Sequence, residues 1–101
     1  MTVTTVAHYR FPPAAREAVL ERLLPVAQTT RDEPGLKYFH ILETPSEEGH
    51  LILIEGWKDQ EALARHRERP HFRDGLLGSV VPLLYERSVH ISTPAFEEQF
   101  S

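Results

Sequence analysis

The chain has 101 residues, 41% apolar and 26% charged, with 11 Lys and Arg against 15 Asp and Glu. That length suits one domain over residues 1–101, and the composition is that of a soluble globular protein rather than a disordered or membrane-inserted one. The net charge of −4, with basic residues scattered among acids, argues against nucleic acid as a partner, and the lack of cysteine excludes disulfides, thiolate metal centres and a cysteine nucleophile.

The run Leu51 to Ile54 is far short of the roughly 20 apolar residues a membrane-spanning helix needs. The N-terminus lacks the basic segment and long apolar core of a secretion signal, so it is expected to be mature as written, with the cytoplasm as the default compartment.

Val3 to Phe11 is rich in β-branched and aromatic residues and stops at Pro12-Pro13, which predicts the first strand. From Pro13 to about Thr30, Val19, Leu20, Leu23, Leu24 and Ala27 recur at helical spacing with charged residues between them. Pro25 falls inside this helix and should bend it. Asp32-Glu33-Pro34-Gly35 is a turn signal, after which Leu36 to Glu43 reads as an edge strand with Leu36, Tyr38, His40 and Leu42 on one face.

A loop over Thr44 to Gly49 leads to a returning strand, His50 to Trp57, whose four consecutive aliphatics put apolar side chains on both faces. Asp59 is a good N-cap for a helix carrying Ala62, Leu63 and His66 on one face until Pro70 interrupts. His71 to Val81 is a second helical stretch ended by Pro82, and Leu83 to Ser92 is the last strand.

The order strand, helix, strand, strand, helix, strand is that of the α+β, ferredoxin-like βαββαβ fold: a four-stranded antiparallel sheet with its helices on one face. The other sheet face is then bare, although the strand Leu51 to Ile54 is apolar on both sides. A second copy stacked face to face is the simplest cover, making a homodimer.

Glu33-Pro34-Gly35, a hairpin, Glu55-Gly56-Trp57, Ala62-Leu63-Ala64-Arg65-His66 and Pro70-His71-Phe72 follow one another along nearly the whole chain. This layout resembles that of the antibiotic biosynthesis monooxygenase family of dimeric α+β barrels. The resemblance implies a homodimer with one small-molecule pocket per subunit, between sheet and helices. Members of that family include cofactor-free oxygenases of phenols and quinols, haem-degrading enzymes and isomerases of small signalling molecules, and the fold alone does not choose among them.

Cofactor-free oxygenation requires an ionised phenol in a partly dry cavity, hence a base and hydrogen-bond donors. His66 shares a helical face with Leu63 and should point at the sheet, which makes it the expected catalytic base; a structural histidine bound to a strand carbonyl or to Glu55 is the competing reading. Trp57 serves as pocket wall or as plain core. Tyr38 with His40, and His8 with Arg10, would line the cavity if their faces turn toward the helices. Glu55 is either a buried acid or a strand-end carboxylate in water. His71 and Phe72 complete the expected substrate-binding set.

No cofactor and no metal are expected, since His66 and His71 are five residues apart across a proline and same-face helical ligands want three or four. The chain contains no asparagine, whereas the phenol-oxidising and haem-degrading members of the family it resembles use one in the pocket. Where the haem-degrading members place an iron-ligating histidine, this chain has Arg73-Asp74-Gly75-Leu76-Leu77, so haem is not expected. In the tail, Phe96 and Phe100 would form one apolar stripe on a helical turn. The expected activity is oxygenation of a small aromatic or quinol-type molecule, with a non-catalytic small-molecule-binding or structural dimer as the alternative and an isomerase as a third option.

Overall fold

The computed structural model describes residues 1–96, so Phe100 lies outside the described residues. Four antiparallel strands, β1 (Val3–Arg10), β2 (Leu36–Glu43), β3 (His50–Trp57) and β4 (Glu86–Ser92), form one sheet in the order β2-β3-β1-β4. Helix α1 (Arg16–Arg31) joins β1 to β2, while α2 (Gln60–Glu68), a π-helix (His71–Val80) and a short 3₁₀ turn (Val81–Leu83) join β3 to β4. This is the ferredoxin-like arrangement that the order of periodic segments predicts.

Alternation in β1 sorts the sheet into two faces. Val3, Thr5, Ala7 and Tyr9 are buried and pair with Trp57, Glu55, Leu53 and Leu51 of β3. This is the helix side, where Tyr9, Phe11, Val19, Leu23, Leu51, Leu53 and Val80 make the main core. Opposite lie Val6, His8, Ile52, Ile54, His40 and Leu42, which no helix among the described residues covers.

Helix α1 continues through Pro25 as one helix, as expected; Pro25 is solvent-exposed, and the carbonyl it leaves unpaired can be met by water. Three expectations change in detail. The second helical stretch is wound with wider turns, as the Val81 N–H bond to the Leu76 carbonyl shows, and β4 begins at Glu86 rather than Leu83 because Pro82 sits in the 3₁₀ turn. A bulge between Leu36 and Tyr38 moves Leu36 onto the helix side against Trp57, so it does not share a face with Tyr38, His40 and Leu42.

The α1–β2 turn is held tightly against α2. A Cβ on Gly35 would stand 2.3 Å from Ala62 Cβ, and the Gly35 carbonyl accepts the Lys58 N–H at 2.9 Å. Gly35→Ala should therefore force this turn off the sheet end and cost about 1–3 kcal/mol, read as a lower midpoint in urea with an unchanged slope.

Candidate active site

The turn clamped by Gly35 carries Glu33. Helix α1 ends where Asp32 and Glu33 donate their N–H groups to carbonyls in the last turn, and the Glu33 side chain folds inward to only 6% exposure. Its carboxylate is met by groups that leave α2 and enter the π-helix. Arg69 is extended, the conformation a following proline favours, so the chain leaves α2 there and winds again from His71. His66 and His71 therefore lie on different helices that corner around one carboxylate. Five residues of separation would keep them apart on one continuous helix, but the break at Arg69-Pro70 brings them together.

Glu33 Oε2 accepts from His66 Nδ1 at 2.5 Å and from His71 Nε2 at 2.8 Å, while Arg69 Nε stands 3.4 Å from Oε1. A buried carboxylate is sustained by such donors. The His66 ring is packed between Trp57, with centroids 4.6 Å apart, and the edge of Phe72 at 5.1 Å. Its other nitrogen, Nε2, points at the sheet and lies 3.7 Å from Glu55 Oε1, too far for a direct hydrogen bond and close enough for an intervening atom.

Burial lowers the His66 pKa and outweighs the opposing pull of Glu33, so the ring is neutral at pH 7. A neutral imidazole that gives its Nδ1 proton to a carboxylate has its free lone pair on Nε2. Burial drives Glu55 the other way, up to about 7, with the nearby Glu33 charge adding to the rise and the Trp57 indole opposing it. That indole N–H favours the Glu55 carboxylate without making a hydrogen bond of good geometry to any described residue. Tyr9, its phenol pushed up to about 12 by burial, stays protonated as a donor.

Between His66 and the sheet lies a cavity of about 20 Å³, with Thr5, Tyr9, Glu55, Arg67 and Arg87 as its other polar walls. That is room for one water. The site therefore combines inward polar groups with a cavity nearly filled by its own side chains.

The expected site residues divide between the two sheet faces. His66, Trp57, Glu55, His71 and Phe72 come together on the helix side. Tyr38, His40 and His8 do not join them: their register partners Gly56, Ile54 and Ile52 place them on the uncovered face. There Tyr38 bonds Thr4 at 2.6 Å and stacks on His40, while His8 bonds His50 at 2.9 Å. The condition for these residues to line the cavity is not met, because the pleat turns them away from the helices. Glu33, Tyr9 and Arg87 went unrecognised as site residues in the sequence. Only Glu33 carried a signal there, as part of the Glu33-Pro34-Gly35 motif.

The family model described as antibiotic biosynthesis monooxygenase matches residues 2–76. The chain belongs to this family. It is 31% identical over 67 residues, 66% of this chain and 70% of the relative, to YcnE of Bacillus subtilis (strain 168), whose name makes it a monooxygenase only provisionally. Rv0793 of Mycobacterium tuberculosis superposes with a TM-score of 0.88 at 28% identity, over 98% of this chain and all of that one. SnoaB of Streptomyces nogalater, described as a cofactor-independent oxygenase and solved as an asparagine-to-alanine mutant, superposes with a TM-score of 0.78 at 21% identity over 94% of each chain, a likeness of fold. Among the described residues no helix is long and apolar enough to cross a membrane.

Proposed function

We propose that this member of the family is a cofactor-independent monooxygenase of a small aromatic or quinol-type substrate, working as a homodimer. The observation that carries this reading is the orientation of His66: Glu33 holds Nδ1, and Nε2 is aimed with its lone pair at a cavity beside Glu55. A base so placed removes the proton of a bound quinol, and the resulting anion is electron-rich enough to reduce dioxygen directly. The balance closes without another reductant: a quinol and dioxygen give a hydroxyquinone and water, the substrate supplying four electrons. Glu55, protonated near neutrality by its burial, supplies the proton that lets the second oxygen leave as water.

Substrate entry requires the cavity to widen. Phe72 and Leu76 of the π-helix form its helix-side wall, and a stretch wound off the regular α-helical pattern is the wall most able to yield. The small cavity is also what favours the second reading, a dimer that binds or scaffolds without catalysis. Oxygen-electrode traces separate the two. The first reading expects uptake above autoxidation, one dioxygen per quinol consumed, and the second expects the autoxidation rate.

The dimer reading rests on the uncovered face, where Val6, Ile52 and Ile54 are only half-buried and Leu42 is 46% exposed. Ile54→Arg puts a charge at the middle of this face, opposite Val6 and His40. Sedimentation should report half the wild-type mass, and an unchanged mass would remove this face from the interface.

A further inference from the structure

We propose that Glu33, His66 and His71 also form a binding site for a divalent transition cation such as zinc, and that the bound ion silences His66 as a base. Their donor atoms, two imidazole nitrogens and a carboxylate oxygen, all lie within 4.8 Å of one another. Two nitrogens and an oxygen suit zinc or another borderline first-row cation far better than calcium or magnesium, which prefer all-oxygen shells.

The three donors are at present held together by shared protons. Zinc bonds of about 2.0–2.1 Å in a tetrahedron put ligand atoms ~3.3 Å apart, so the separations of 2.5 and 2.8 Å to Glu33 Oε2 need to open by about 0.8 and 0.5 Å, and the two imidazole nitrogens, now within 4.8 Å, need to settle at the same spacing. The surroundings fit. A metal-bound imidazole usually gives its other N–H to a carboxylate, and Glu55 already stands 3.7 Å from His66 Nε2. His71 is 14% exposed, which gives the ion a way in from solvent and leaves the fourth position to water. Arg69 is the competing cation at Glu33, but it is 44% exposed and can swing into water.

Occupancy has a functional consequence. When Nδ1 of His66 binds the ion, its proton moves to Nε2, so the lone pair that would accept a proton from substrate is gone. Metal binding and general-base duty exclude each other at this ring.

Zinc titration of the chelator-treated full chain by calorimetry, without substrate, tests the proposal independently of any oxygenase activity. One zinc per chain is expected. Glu33→Gln and His71→Ala should each weaken binding roughly tenfold or more, Arg69→Ala should tighten it, and His8→Ala on the far face should leave it unchanged. Zinc should raise the melting temperature of the wild type and not that of the ligand variants. Cobalt in the wild-type chain should show the visible bands of a low-symmetry nitrogen–oxygen site, a readout that stands even if a variant fails to fold. Absence of binding at submillimolar zinc, or binding lost in His8→Ala and retained in His71→Ala, would overturn the proposal.

Discussion

His66→Gln should lower quinol-dependent oxygen uptake by about 10²–10⁴-fold, the contribution typical of a positioned acid–base group, while leaving the chain folded. Glutamine is the informative substitution because its amide N–H can replace Nδ1–H as donor to the Glu33 carboxylate, so the buried acid keeps a partner. What it cannot replace is the lone pair directed at Glu55 and the cavity. Since proton removal occurs after substrate is bound, the loss should fall on kcat with KM little changed. Uptake by a folded His66→Gln protein at the wild-type rate would assign the chemistry to another residue.

The second large effect concerns stability. Burial pushes the Glu55 carboxyl up to about 7, so the folded chain favours the neutral acid over the carboxylate. A raised carboxyl contributes stability that is complete below the ordinary glutamate range and is lost as pH rises through about 7. His66 has the opposite sign: its lowered pKa contributes stability that is complete above the ordinary histidine range and is lost as pH falls. The two slopes oppose each other below the ordinary histidine range, and above it only the Glu55 loss remains, so wild-type stability should fall as pH rises through about 7.

Glu55→Gln keeps the size and neutrality of the protonated acid and removes the alkaline loss alone. Its advantage over wild type should grow by about 2–3 kcal/mol between pH 5 and pH 8, or on the order of 10 °C in melting temperature. Parallel melting curves for the two proteins across that range would show that Glu55 ionises without penalty.

Much of this architecture is legible in the sequence, because it follows from periodicity. The period-two burial of β1, the apolar spacing along α1 and the Asp59 N-cap, whose side chain accepts the Ala62 N–H at 2.8 Å, all stand where local physical chemistry puts them. The departures come where a local rule meets its surroundings. Pro82 sits in a 3₁₀ turn and delays β4 to Glu86, and one bulged residue transfers Leu36 to the other face.

The site was legible only in part. His66 could be placed by its helical face, but Glu33 sits in a turn before a proline, where carboxylates are usually solvated, and its burial depends on the close approach of Gly35 to Ala62. His66 and His71 meet because Pro70 resets the chain direction, and sequence separation does not record that turn. Tyr38, His40 and His8 went to the uncovered face because alternation fixes which residues share a face without saying which face the helices cover.

The central claim is that Glu33 fixes His66 as the tautomer whose free lone pair is on Nε2, facing the cavity. Histidine ring ¹⁵N spectra of the metal-free chain near pH 7.5, assigned with a His66→Gln sample, test this most directly. The expected result is a neutral ring protonated at Nδ1 and bare at Nε2. A ring protonated at Nε2, or an imidazolium at that pH, would contradict it.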